Sequence, residues 1–416
     1  MVSVGKLALV AVLVGLSAFG FRATIVPMST TGIGKVLNEV SGRSPDGIVA
    51  DLLGAPTPFK RVYTGSPQLD SILALLVSFF AALVDDHGAG WEVTAFYTWA
   101  MAQFVAGWTL LVLESRRSGN RGRIVSWIGI FGFFIQTLTW TFTVPLYLAI
   151  HLLTSPTANL ASKNGKSVGD AARRSLVVYG WDLVLIPLAV TVAFIVPAIF
   201  MSIPSILDQT AATHYNLIAF WQVFPVWTTL IINVLSNVFH YSLGEISPKD
   251  AEGKPTTPGK GFLTAVSSVY RFGLTASVVT HVPILLVSLL PASLRSTLIS
   301  TFPDYASLLS QVTFARTFVP LPPSAAPTIN PADYAPGDLA APITHFLQYD
   351  LYVGTGALLL WALYINLTTP GRSAVKSIGT FAFWTIAGGP AAGAFALLWD
   401  RDEVVKEGES NARKRK

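Results

Sequence analysis

An all-α, polytopic transmembrane helical bundle of eight or nine spans is the fold that three observations predict. Of the 416 residues, 52% are hydrophobic and only 12% are charged, against roughly 25% charged in a soluble domain. Mean hydropathy is +0.55. The apolar residues gather into nine runs, most of them close to the ~20 residues that cross a bilayer core. The net charge of +5 lies in loops and at the C-terminus, which suits membrane-facing loops rather than nucleic-acid binding. Cysteine is absent, so disulfides, thiolate nucleophiles and cysteine-ligated metals are excluded.

The first run, residues 4–24, is a first span or a signal sequence. Lys6 precedes its apolar core and Ser17, Ala18 and Gly20 are small, as at a cleavage site; an uncleaved span is preferred here. Residues 25–68 form a connection rich in Gly, Pro and mixed charge. The transmembrane region 69–293 then holds six runs, at 69–85, 91–113, 124–152, 176–201, 216–240 and 262–293. Residues 294–349 carry many prolines, including Pro320, Pro322, Pro323, Pro331 and Pro336, which oppose a continuous helix. Phe302, Tyr305, Phe314, Phe318 and Phe346 make this segment too aromatic for a plain linker, so it is expected to pack over the mouth of the bundle as a lid. Two last spans, 350–368 and 377–399, complete the region 350–399 before a charged tail, 400–416. No internal repeat is visible in the sequence, so the repeat signature of many transporters is missing.

Lys and Arg counted by side favour a cytosolic C-terminus. Arg413, Lys414, Arg415 and Lys416 resemble a dibasic endoplasmic-reticulum retrieval tail, with a simple solvated charge run as the alternative.

Ionisable side chains inside apolar runs cost a few kcal/mol each and point to a working interior. Asp182 lies about two turns into 176–201, between Trp181 and Pro187. It reads as an acid kept protonated by dry surroundings, or as the structural partner of Arg271 or of a donor on another helix. Glu114 ends the third run before the basic turn Arg116, Arg117 and Arg121. It reads as an acid or base at a cavity mouth, or as an ion pair with Arg117 at i,i+3 or with Arg121. Asp350 opens the eighth run, as a pocket-rim carboxylate or as the dipole partner of its helix. Asp182, Glu114 and Asp350 are thus the candidate catalytic residues, expected to meet around one enclosed hollow. Gln136, Trp140 and Tyr147 share a face of the fourth run, whose Pro145 can kink it. With Trp181, Arg271 and Gln348 they are the candidate substrate-binding residues. Asn233, Asn237 and His240 make one polar stripe, the usual glue between helices. No histidine pairing has metal-ligand spacing, and no metal or cofactor is called for. Asp85-Asp86-His87-Gly88 is not the aspartate-rich pattern that holds Mg²⁺-diphosphate, and phosphate-loop and serine-hydrolase motifs are absent.

Several short motifs resemble a known family. They are YTGSPQLD at 63–70, LESRRSGNRG at 113–122, Pro145-Leu146-Tyr147 with HLLTSP at 151–156, Trp181-Asp182, and FLQYD at 346–350. Together they resemble fungal multi-pass proteins of secondary-metabolite clusters, among them the ascofuranone/ascochlorin-type membrane terpene cyclases and a paxilline-cluster membrane protein. The resemblance implies an enzyme that cyclises the terpenoid arm of a meroterpenoid, often after epoxidation. The residues agree with that chemistry. One placed acid opens an epoxide or protonates an olefin without a metal, aromatic faces stabilise the cation, and a lipid-embedded pocket excludes water. Asp182 or Glu114 would then donate the proton and Asp350 would assist. The expected partners are a hydrophobic prenylated small molecule and the bilayer. A transporter of a hydrophobic metabolite and a non-catalytic membrane scaffold are the alternatives.

Overall fold

The computed structural model describes residues 3–45, 47–55, 57–84, 89–161, 168–246 and 260–404. The 85–88 sequence and the basic residues 413–416 lie outside them. Among the described residues there is no named strand; the elements are helices. α1 (Val4–Thr30) and the short α2 (Ile33–Ser41) open the chain, followed by α3 (Pro67–Val84) and α4 (Trp91–Ser115). α5 (Ile128–Leu138) and α6 (Trp140–Thr154) come next. α7 (Asp170–Ser175) leads into α8 (Gly180–Val190), which passes through a π turn at Thr191–Ile195 into α9 (Val196–Met201). α10 (Ala211–Gln222) meets α11 (Phe224–Leu243) at a bend of 65°. After α12 (Lys260–Ser288), the short helices α13 (Ala292–Thr301), α14 (Ala306–Gln311) and α15 (Phe314–Phe318) punctuate the Pro-rich segment. α16 (Ala340–Thr368), α17 (Ala374–Gly388) and α18 (Pro390–Asp402) end the bundle.

Among the described residues, six helices are long and apolar enough to cross a membrane, or seven if the bent α10–α11 pair is one span. That corrects the expected eight or nine. The reason is local. The run 124–152 breaks at Thr139, whose φ is 120°, and 377–399 breaks at Gly389, whose φ is 86°. The resulting helices have 11, 15, 15 and 13 residues. At ~1.5 Å per residue they reach only about 16–23 Å, short of a ~30 Å core. Each pair folds back as a hairpin instead. Tyr147 of α6 donates to the Val125 carbonyl just before α5 (2.9 Å), and Arg123 donates to the Thr154 carbonyl that ends α6 (3.0 Å). In the second hairpin Arg372 donates to the Asp400 carbonyl (3.1 Å) and Lys376 pairs with the Asp400 carboxylate. Both hairpins therefore begin and end on the face that carries the basic turn after α4, and their tips lie within the bundle.

A buried hairpin tip leaves backbone groups to be satisfied. The first tip is met by α16: Asp350 Oδ1 accepts from the Thr141 amide at 2.8 Å. The Thr139 hydroxyl accepts from the Phe142 amide at 3.2 Å. The second tip is met by α4: Gln103 Nε2 donates to the Gly388 carbonyl (2.9 Å) and its Oε1 accepts from the Ala391 amide (3.1 Å). Only glycine suits position 389, because an added Cβ would stand 2.6 Å from Gln103 Oε1 on a positive-φ backbone. Close approach also seats the first hairpin. A Cβ on Gly354 of α16 would lie 2.1 Å from the Trp140 ring, so the small residue lets α16 pack on α6.

These contacts reveal a repeat. α4–α5–α6 and α16–α17–α18 are each a long helix followed by a short hairpin. α1 packs on α16 and α6, as α12 packs on α4 and α18. Each long helix caps the other unit's tip. The repeat escaped the sequence because it is kept by packing geometry, with Asp350 in one unit doing the work of Gln103 in the other. Gln103→Leu is expected to loosen the second hairpin, orphaning a carbonyl and an amide at about 1–3 kcal/mol each; faster amide hydrogen exchange at residues 388–392 would register it, and unchanged exchange would refute the capping role.

The Pro-rich segment packs across the ends of α4 and α16. Gln348, Tyr349 and Tyr352 donate to the carbonyls of Thr317, Leu321 and Phe318, and Gln311 accepts from the Trp91 amide.

Candidate active site

Three hollows bear on function. The first is a chamber of about 210 Å³ around the tip of the α5–α6 hairpin. Phe79 and Phe80 of α3, Tyr97 and Phe104 of α4, Trp221 of α10 and Phe346 of α16 give it an aromatic wall. Its polar members include Asp350, Gln136 and Thr139. Asp350 is buried, and its partners are the Thr141 and Trp140 amides and the Thr139 hydroxyl. The break at Thr139 is what brings these groups together. An unbroken helix over 124–152 would have spent its amides internally and offered the carboxyl nothing.

The second hollow is an apolar groove of about 720 Å³ between α4, α9 and α12. The third is a polar cleft of about 1220 Å³ on the basic face, lined by Arg116, Arg121, Tyr179, Asp182, Asn233 and His240 among others. There Arg116 donates to Asn233 Oδ1 at 2.7 Å and stands 4.0 Å from the Asp182 carboxylate. Tyr179 and His240 share a hydrogen bond of 2.9 Å.

The three candidate carboxylates do not converge, which corrects the expectation of one shared hollow. Asp350 lines the chamber and Asp182 lines the cleft. Glu114 opens onto neither and belongs to a fully buried ionic cluster. Its Oε1 accepts from Arg117 (2.8 Å) and Arg401 (2.7 Å), and Asp402 closes the cluster by accepting from the same two guanidiniums, at 2.8 Å each. Tyr270 accepts from Arg117 (3.0 Å) and donates to Asp402 (2.8 Å). Burial alone would lower the Arg117 pKa, but the Asp402 and Glu114 carboxylates outweigh it and hold the guanidinium above its ordinary range. Two cations and two anions cancel, which is how so much charge can be buried at all.

The candidate binding residues are also divided. Gln136 lines the chamber. Trp140 is wholly buried beside it, packed on Phe104 with ring centroids 4.8 Å apart. Because the helix breaks between them, Gln136 and Trp140 do not share a helix face as the unbroken run suggested. Tyr147 braces the hairpin base, and Gln348 donates to the Thr317 carbonyl (3.2 Å). Trp181 donates to the Gly244 carbonyl (2.9 Å) and packs on Phe239. Arg271 is exposed, and Arg116 rather than Arg271 faces Asp182. Sequence reasoning missed the aromatic wall. Phe79, Phe80, Phe104 and Trp221 stood in plain apolar runs, and only the wealth of mid-run aromatic residues signalled it.

Comparisons with known proteins identify the chain's relatives. The CtvD domain matches residues 9–406, nearly the whole chain. Terpene cyclase ascI of Acremonium egyptiacum is 26% identical over 367 residues, 86% of this chain and 83% of that protein. Terpene cyclase ctvD of Aspergillus terreus is 25% identical over 356 residues, covering 85% and 88%. Terpene cyclase atmA of Aspergillus flavus is 25% identical over 353 residues, covering 82% and 83%. No solved structure matches the chain.

Proposed function

The chain belongs to the CtvD domain family, and from that premise we propose that it is a membrane-embedded terpene cyclase acting on a prenylated, epoxidised small molecule of the meroterpenoid kind. The observation that carries the reading is the placement of Asp350, a buried carboxyl group at the wall of an otherwise aromatic and aliphatic chamber. In its protonated form it would deliver a proton to the epoxide oxygen as the C–O bond opens. The neighbouring alkene attacks the resulting cationic carbon, the Phe79, Phe80, Phe104 and Trp221 faces stabilise the migrating charge, and the final proton returns to the carboxylate. Gln136 would orient the substrate oxygen. The largely apolar wall would keep out water that would quench the cation.

Asp182 supports a second reading, because it lines the largest of the three hollows. Its carboxylate already faces Arg116, which makes it the weaker proton donor of the two in geometric terms. Glu114 is assigned no part in the chemistry, since both its oxygens are engaged by Arg401 and one also by Arg117.

Arg116, Arg117, Arg121, Arg123, Arg372, Lys376 and Arg401 cluster at the ends of α4, the hairpins and α16. By the positive-inside rule that face would be cytosolic, and with it the chain's C-terminal end; the basic tail favours the endoplasmic-reticulum membrane.

The test is turnover without a sealed compartment. Purified protein in detergent micelles, given an epoxidised prenyl-arene, is expected to yield the cyclised product. Uptake of the unchanged prenyl-arene into sealed vesicles, without product, would favour a carrier, and neither product nor uptake would favour a scaffold.

A further inference from the structure

We propose that the substrate reaches the chamber sideways from the bilayer, through the groove between α4, α9 and α12, and that Tyr97 and Met101 form the threshold. This inference rests on the cyclase reading and adds the route and the resting place of the substrate's tail. Tyr97 and Met101 line both the groove and the chamber, whereas the polar cleft on the basic face has no lining residue in common with the chamber. Continuity therefore runs toward lipid. The groove wall is apolar or uncharged throughout, with Phe194, Ile195, Ala198 and Ile199 on one side and Ala276 and Val279 on the other. A lipid-soluble prenyl chain is the occupant that such a wall accepts.

Size argues the same way. A pocket for a drug-sized ligand usually measures about 300–1,000 Å³. The chamber alone offers about 210 Å³, and the groove adds about 720 Å³. The reacting end fits beside Asp350 while the rest of the chain lies beyond the threshold.

The wall beside the threshold is built to yield. Tyr97 and Ser202 share a hydrogen bond of 3.2 Å that ties α4 to the end of α9. The helix leading to Ser202 carries Pro187, a π turn at Thr191–Ile195 and Pro197. Each interrupts the regular hydrogen-bond ladder and lowers the cost of bending there.

The absence of cysteine from the sequence makes the route testable by single-site blocking. Thr98 and Val279 line the groove and not the chamber, and Val279 is 64% exposed. Thr98→Cys and Val279→Cys proteins would be treated with benzyl methanethiosulfonate, with Ile378→Cys on α17, 56% exposed, as control. The expected result is a fall in kcat/KM of about tenfold at the two groove positions, with kcat changed by less than about twofold. Dithiothreitol should restore both, and Ile378→Cys should not respond. Labelled groove variants that match the labelled control would overturn the route. If the unmodified protein makes no cyclised product, the cyclase reading falls and the route is judged by binding instead. A benzophenone-bearing farnesyl ether should then photolabel the peptide containing Phe79 and Phe80, and the groove blocks should slow that labelling; equal labelling with and without the block would overturn it.

Discussion

Asp350→Asn is expected to lower cyclisation by about 10²-fold or more, the usual contribution of a general acid, while leaving the protein folded. The second half of that expectation comes from the repeat. Gln103 satisfies the tip of the α17–α18 hairpin with a neutral amide, accepting from Ala391 and donating to Gly388. An asparagine oxygen at 350 can accept from the Thr141 amide in the same manner, so capping does not require a carboxyl group. What asparagine cannot do is give up a proton to an epoxide. A carboxyl at a position where an amide would serve the fold supports the proposed chemistry of the chamber. The comparison with Asp182→Asn decides between the two hollows. Asp350→Asn protein that elutes as a monodisperse species and still turns over at the parent rate would exclude Asp350 as the acid. Loss in Asp182→Asn with full activity in Asp350→Asn would move the reaction to the cleft.

The long apolar helices of the chain were open to reading from composition and hydropathy, because so few charges over so much apolar sequence depart far from the composition of a soluble domain. The i,i+3 contact between Glu114 and Arg117 was also legible, since both lie on one local helical turn. Long-range partners were not. Nothing near Glu114 in sequence announces Arg401 and Asp402, about 285 residues away, and a lone Glu beside a basic turn looked as suited to catalysis as to a cluster. The two hairpins were hidden for a different reason. Hydropathy is blind to backbone direction, so Thr139 and Gly389 read as interior positions of ordinary spans. The capping role of Gln103 followed the hairpins into obscurity, as did the aromatic wall, whose members come from four separate helices. Asp350 was legible as a candidate because a carboxylate beside an apolar run is costly anywhere; that its helix begins ten residues earlier, at Ala340, and that it would meet a helix break in another run was not.

Arg401→Met is expected to destabilise the protein severely, and Glu114→Gln added to it is expected to recover much of the loss. The cluster balances Glu114 and Asp402 against Arg117 and Arg401, all with no measurable solvent exposure. Removing Arg401 strands one negative charge in a site without water, and breaking a buried pair in this way costs about 3–5 kcal/mol. The second substitution removes the stranded charge and leaves Arg117 paired with Asp402, as they already are at 2.8 Å. Because the two residues touch, their effects should be strongly non-additive. The measurement is a double-mutant cycle on thermal unfolding in a single detergent, with cyclisation followed in parallel. A single Arg401→Met protein that melts with the parent would remove the cluster from the list of what holds α4 to α18. A double variant that regains the fold should also regain turnover, since the cluster faces no hollow that a substrate enters. If it folds and stays inactive, Glu114 has a chemical role after all, and the separation drawn between the ionic cluster and the Asp350 chamber would have to be given up.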